Sequence, residues 1–437
     1  MKLTGEMGAF RRDPLGMLER CAKEQGDLAR IRFGFNRLVI LSHPALVEEV
    51  LVTRNQSFRK NPATRRLGTL IGRGLLSSDG EVWRRQRRVT QPAFHRARVN
   101  AAGEAIVEYA QRQLATWQPG EIRDVHKEMM ELTLQIACKT LFGAEVASDL
   151  QVVREATTVV GAHFMSRLRS LLFLLPDRVP TPGNLRFLRA VKQLDELIYR
   201  FIRERKEDTH SAGPRARFGS TSRGDLLSML LESELSPTEV RDEVMTFFLA
   251  GHETTALALT WALYLLAVHP EAHEHLRAEV QTVVAGRAVT VDDVERLPYT
   301  RAVVDEALRM YPPAYLQGRQ ALHDLTVGGQ PIQKGTTLLM SQWLLHHDPR
   351  FYDAPWEFQP ERWLDGTLAK QLPRFAYFPF GGGQRQCIGY AFAQLEATLV
   401  LACTAQRLRL ELVPDQRIEM EALITLRPRY GMRMTAA

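Results

Sequence analysis

A chain of 437 residues with 45% hydrophobic and 24% charged residues can bury a sizeable core, which excludes global disorder. Its four cysteines, Cys21, Cys138, Cys387 and Cys403, stand far apart, so they form neither a disulfide framework nor a CxxC zinc pattern. The net charge of +7 is modest, and where it sits matters more than its size.

The N-terminal stretch MKLTGEMGAFRRDPLG lacks the apolar run of a secretory signal. A reducing, cytoplasmic setting without a transmembrane anchor is expected, an anchor upstream of this stretch being the alternative. Residues 28–41 (LARIRFGFNRLVIL) alternate and then turn apolar, which predicts a hairpin, and 44–53 predicts a short helix after Pro44. Residues 80–117 and 121–142 have amphipathic helical spacing. Residues 171–183, apolar but broken by Pro176, Pro180 and Pro182, predict a loop, and a helix follows to about Lys206. The polar, Gly/Ser-rich stretch 207–224 predicts a mobile surface loop, with no composition shift to mark a domain boundary.

Met245 to Val268 is apolar and long enough to resemble a membrane span. Its middle, however, carries His252, Glu253, Thr254 and Thr255, and a carboxylate at bilayer depth is costly. Ser236, Pro237 and Glu239 form a capping box of the soluble kind, so Ser236 to Val268 reads as one helix through a globular core. A further helix, 298–311, ends at Pro312-Pro313. Turns at Gly328-Gly329 and Lys334-Gly335 separate short β-like runs, the last helix spans about 389–406, and 422–435 is β-like. The fold class is mainly α with a small β region (α+β), in one domain over 1–437 with β-rich parts at about 28–60 and 314–345.

The sharpest motif is Phe380-Gly-Gly-Gly383-Gln-Arg385-Gln-Cys387-Ile-Gly389. A cysteine just before a helix N-terminus and beside an arginine favours the thiolate, the form that binds metal. The glycines let the backbone approach a flat partner. A buried free cysteine after a glycine turn is the plain alternative; a phosphate loop would need a GK[ST] ending that is missing. In Ala250-Gly251-His252-Glu253-Thr254 an acid and an alcohol interrupt an apolar helix, an arrangement able to pass protons, or else a satisfied helix kink. A zinc-protease helix would need a histidine where Ala256 stands. Glu306 and Arg309 share a helix face, as do Trp83 and Arg87. Gly72-x-Gly74 imitates a dinucleotide fingerprint without its third glycine, and His269 and His273 read as surface histidines at a helix junction.

The 380–389 motif matches every fixed position of F-x-x-G-x-R-x-C-x-G, and by it the chain resembles the cytochrome P-450 superfamily. Ala250-Gly251-x-Glu253-Thr254 resembles that family's oxygen-activation motif, Glu306-x-x-Arg309 its E-x-x-R, Pro360-Glu361-Arg362-Trp363 its P-E-R-F element, and Trp83-x-x-x-Arg87 its W-x-x-x-R. The resemblance runs from about Gly26 to the C-terminus. It implies the family fold, with haem b (iron protoporphyrin IX) between two long helices and Cys387 as the iron ligand. Phe380 would pack near the sulfur; Trp83, Arg87, Arg319 and Arg385 would bind the haem propionates; Ala250, Gly251 and Gly389 would let the cofactor approach. Glu306, Arg309 and Arg362 would form a buried structural triad.

The implied reaction is insertion of one oxygen atom of O2 into an apolar small molecule such as a fatty acid, terpenoid, steroid or macrolide. Thr254 and Glu253 would manage the protons, and Phe164, Phe173, Phe247 and Leu316 would line the pocket. No flavin, nicotinamide or iron–sulfur segment is present, so electrons would come from a ferredoxin or flavodoxin with its reductase. Such a donor would dock on the Arg84, Arg85, Arg87, Arg88, Arg96 and Arg98 stretch, which has no acid between Val82 and Gly103. No nucleic-acid motif accompanies these arginines. A monomer is expected. A haem isomerase or peroxygenase, or a haem-based binder without turnover, are the alternatives, and the intact Glu253-Thr254 pair speaks against the first.

Overall fold

In the computed structural model, which describes residues 5–168, 177, 179–211 and 224–436, the organising element is the helix Pro237–Val268. Its start is capped as predicted: the Ser236 hydroxyl accepts the Glu239 N–H, and the Glu239 carboxylate accepts the Ser236 N–H at 2.9 Å. A helix apolar nearly all round must be covered nearly all round. Val125–Phe142 covers one side, tied on by the Thr133 hydroxyl donating to the His252 carbonyl at 3.0 Å. Pro298–Met310 and Tyr390–Arg407 cover another, where Trp261 stacks on Tyr311 at 4.3 Å. Among the described residues no helix is long and apolar enough to cross a membrane.

The β region gathers segments from opposite ends of the chain. Its largest sheet has the strand order Leu28–Phe33, Asn36–Leu41, Thr337–Met340, Gln317–Ala321, Phe58–Lys60. The first two strands are the expected hairpin, turning through Gly34 at φ 59°. Asn36–Leu41 and Thr337–Met340 run parallel, and the remaining pairs are antiparallel. The register sets Lys60 directly opposite Arg319. Near the C-terminus, Met420–Ala422 and Leu426–Pro428 form a short hairpin.

Three predicted elements come out differently. The helix expected over 80–117 is three helices, Gly80–Thr90, Arg96–Ala101 and Gly103–Leu114, with a 3₁₀ turn at Gln91–Phe94 where Pro92 withholds an N–H. Residues Ile122–Asp124 are a strand paired with Arg433–Ala436, and the helix begins after it because the Asp124 carboxylate caps the N–H groups of His126 and Lys127. The helix Pro182–Ser211 runs beyond Lys206 into the expected surface loop. The rest of that loop, 212–223, and most of the loop expected at 171–183 lie outside the described residues.

Candidate functional site

The cysteine loop is held from both ends. The Cys387 N–H donates to the Phe380 carbonyl at 2.9 Å, closing the loop on itself. Gly389 caps the helix Tyr390–Arg407, and its N–H reaches the Cys387 sulfur. Gly382 lies where a Cβ would sit 2.2 Å from the Phe375 ring, and Gly383, at φ +65°, where a Cβ would meet the Leu51 carbonyl at 2.1 Å. No side chain fits either position, so these glycines fix the path of the loop. Cys387 presents accessible surface while being enclosed deeply enough that burial pushes its thiol up; the Gly389 N–H and the Arg87 charge pull the other way, toward the thiolate.

Around this loop stands a set of cations. Arg385 lies 3.9 Å over the Trp83 ring, donates to the Ser78 carbonyl at 2.9 Å and pairs with Asp79 at 2.8 Å. Arg87 donates to the Gln386 carbonyl at 3.0 Å. Arg319 is 8% exposed and among the described residues bonds only the Gly318 carbonyl, at 3.0 Å. Burial lowers Arg319 and Arg385 to about 10 each, with Asp79 the carboxylate that works against it. Asp79 precedes a helix but does not cap it; its oxygens take Arg385 and the Lys60 N–H instead.

The helix motif lies in the middle of Pro237–Val268. The Thr254 hydroxyl donates to the Ala250 carbonyl at 3.0 Å. Gly251 packs where a Cβ would touch Leu141 at 3.6 Å and Ala137 at 3.7 Å, so it faces Val125–Phe142. The Glu253 carboxylate accepts the Thr425 hydroxyl at 2.7 Å, from the turn of the C-terminal hairpin. His252 is buried and its Nδ1 lies 2.7 Å from the Phe248 carbonyl, a core histidine.

Glu306, Arg309 and Arg362 meet in a closed network. Arg309 donates to both Glu306 oxygens at 2.8 Å, and Arg362 donates to Glu306 at 3.1 Å. The Trp363 indole and the Gln359 N–H also donate to Glu306, at 2.9 and 3.0 Å. Glu306 and Arg309 are fully buried, where an unpaired charge would be untenable.

Of the four expected pocket residues, Phe164, Phe247 and Leu316 lie among the described residues. Phe247 is buried and stacks on Phe94 at 5.4 Å. Phe164 lines a cleft with Leu67, Leu70, Val160, His163 and Phe187, of which Leu70, Val160 and Phe187 share a core cluster with Phe247. Leu316 packs against the clusters around Met17 and Trp343, and Phe173 lies outside the described residues. His273 is buried rather than on the surface, and among the described residues no group of three His, Cys, Asp or Glu could hold a metal. Gly72 and Gly74 have a packing reason: a Cβ would lie 2.0 Å from the Asp242 carboxylate at the first and 2.1 Å from the Thr246 hydroxyl at the second. Three residues of the site carry no local signal. Lys60, Asp79 and Thr425 reach it only through strand register and long-range packing.

These donors fit one class of prosthetic group. A thiolate is a soft ligand for iron, and buried or half-buried arginines opposed, among the described residues, by Asp79 suit the acid groups of a porphyrin. The comparisons with known proteins agree. The family model described as Cytochrome P450 matches residues 2–432. The cyclooctat-9-en-7-ol 5-monooxygenase of Streptomyces melanosporofaciens is 36% identical over 420 residues, covering 94% of this chain and 88% of its own. Pentalenene oxygenase of Streptomyces avermitilis is 34% identical, covering 99% and 95%. The crystal structure of the cytochrome P450DA heme domain superposes with a TM-score of 0.87 at 28% identity, covering 100% of this chain and 96% of that one.

Proposed function

The chain belongs to the cytochrome P450 family and is a haem monooxygenase, and from this we propose that Cys387 ligates the iron and that the substrate is a cyclic terpenoid. The observation that carries the ligand assignment is Cys387 itself, an exposed residue whose sulfur is met by the Gly389 N–H at a helix start and by the Arg87 charge. Haem supplies the one-electron and O2 chemistry, and a thiolate ligand favours O–O cleavage.

The protein's part is to bind, orient and handle protons. Trp83, Arg87, Arg319 and Arg385 hold the propionates. Phe380, whose carbonyl accepts the Cys387 N–H, fixes the sulfur and helps set the redox potential. Ala250 would let the helix approach the ring, while Gly251 lets it pack against Val125–Phe142. The Thr254 hydroxyl, parked on the Ala250 carbonyl, would hold a proton for the oxygen chemistry the haem supplies, and Glu253 would relay protons to it. Glu306, Arg309 and Arg362 support the loop from below. All of this is built in a single catalytic domain, active as a cytoplasmic monomer and reduced by a ferredoxin or flavodoxin with its reductase.

The names of two relatives, which oxidise cyclooctat-9-en-7-ol and pentalenene, favour a cyclic terpenoid over a fatty acid or macrolide. Replacing Cys387 with Ser should abolish the absorption band of the reduced, carbon monoxide-bound protein from which the family takes its number; an unchanged band would overturn the ligand assignment. A panel of cyclic terpenes and fatty acids, read by the shift of the haem absorption on binding, tests the substrate class. Tighter binding of fatty acids would reject it.

A further inference from the structure

Asp305 stands beside Glu306 in the helix Pro298–Met310, but its bonds run elsewhere. The Tyr377 hydroxyl shares its proton between the Asp305 Oδ1 and the Asp305 backbone carbonyl, each at 3.0 Å. The Gln394 side-chain amide donates to the same Oδ1 at 3.3 Å. Burial pushes the Asp305 carboxyl up to about 6, which leaves it largely ionised in neutral solution and a full acceptor. The two donors lie on either side of the cysteine. Tyr377 is three residues before Phe380, whose carbonyl accepts the Cys387 N–H at 2.9 Å. Gln394 is five residues after Gly389, whose N–H reaches the Cys387 sulfur. Around Tyr377 the upstream arm is stiff: the Phe378 N–H donates to the His346 Nε2 at 3.0 Å, and the Tyr377 ring packs on Trp363 at 4.5 Å. The downstream arm is the start of the helix Tyr390–Arg407, which moves as a unit. One carboxylate therefore sets the separation of the two backbone stretches whose hydrogen-bonding groups bear on Cys387.

We infer that Asp305 is a positioning residue for Cys387: through Tyr377 and Gln394 it holds the Phe380 carbonyl and the Gly389 N–H in register with the sulfur. This rests on the ligand reading above. Hydrogen bonds to an ionised acceptor are directional and about twice as strong as neutral ones, so this pin resists spreading of the two arms better than apolar packing does. With the pin gone, the arms spread and the Gly389 N–H draws away. The sulfur then keeps more of its charge for the iron, which lowers the reduction potential.

The test is a spectroelectrochemical titration of the holoprotein, wild type and variants. Asp305→Asn and Asp305→Ala both delete the charge and only the first keeps an acceptor, so their difference reports the pin alone. Asp305→Ala should be harder to reduce than Asp305→Asn by about tenfold in the equilibrium constant, which is ~59 mV for one electron. Tyr377→Phe keeps the charge and removes one bond. It should fall below wild type in the same sense, and adding it to Asp305→Ala should change little. The reduced, carbon monoxide-bound band should also decay several-fold faster in Asp305→Ala than in Asp305→Asn. If Asp305→Ala yields no folded holoprotein, Gln394→Leu and Tyr377→Phe are compared with wild type instead, and both should lie lower. Equal potentials in the two Asp305 variants, or in wild type and the bond-deleting variants, would overturn the assignment and leave Asp305 a tie between helices, whatever the unfolding midpoint does. A Tyr377→Phe shift that adds in full to that of Asp305→Ala would overturn it too. Absence of the band from wild type would instead overturn the ligand reading.

Discussion

Two neighbouring side chains of the central helix are set in different directions by their own bonds. Successive helical residues are turned by roughly 100°, so Thr254 rests its hydroxyl on Ala250 while Glu253 reaches the Thr425 hydroxyl at 2.7 Å. If Thr254 hands on a proton, Thr254→Ala should cut product formed per electron pair consumed, by up to about 10²-fold, with reduced cofactor still oxidised and peroxide released instead. Thr254→Ser should keep most of the coupling. Equal coupling in the wild type and in Thr254→Ala would remove the threonine from the proton path. Thr425→Val frees the Glu253 carboxylate without touching the helix, so it should lower coupling several-fold, whereas Thr425→Ser should not.

At the scale of elements, two carboxylates hold pieces of the chain together in opposite ways. Glu306 is satisfied five times over, by Arg309, Arg362, Trp363 and a backbone N–H. Glu306→Ala would leave the buried Arg309 and the half-buried Arg362 without their carboxylate and should cost about 3–5 kcal/mol, seen as a lower unfolding midpoint in denaturant. Glu243 is the reverse case. It is fully buried, one oxygen accepts the Leu75 N–H at 3.3 Å, and the other has no partner. Burial raises its carboxyl from 4.5 to about 8. A group raised in the folded state gives stability that is complete below the unfolded value and fades as pH climbs through the folded one. Between pH 6 and pH 9 the wild type should therefore lose on the order of a few kcal/mol that Glu243→Gln does not. Thermal unfolding of both proteins across that range checks this, since every other titrating group is common to the two; parallel curves would refute it. The same helix turn secures the loop after Gly72, where Asp242 accepts the Arg73 N–H at 2.8 Å.

Over the whole molecule, what the sequence discloses is what neighbours along the chain decide. The capping box at Ser236, the hairpin at 28–41 and the glycine path around Cys387 depend on residues a few positions apart, and they are legible. The pairing of Lys60 with Arg319, the seat of Glu253 on Thr425 and the burial of Glu306 depend on segments that meet only after folding, and no periodicity announces them. Charge shows the same division. The run from Arg84 to Arg98 has no acid within it, yet folding brings Glu81, Glu239 and Glu295 onto Arg84, Arg85 and Arg96. Arg88 and Arg98 stay exposed, without an ion pair among the described residues, and Arg88 shares a helix with Arg87, whose guanidinium reaches the cysteine loop. An acidic electron donor would therefore be steered by fewer charges than the sequence displays. Arg88→Glu should slow reduction by such a donor about tenfold at low salt, and the difference should shrink as added salt shortens the screening length below about 8 Å. Arg85→Ala, whose charge is already answered by Glu239, should change the rate much less. Stopped-flow reduction of the three proteins at several ionic strengths separates these outcomes, and equal sensitivity of Arg85 and Arg88 would place the docking charge on the whole arginine run rather than on its unpaired members.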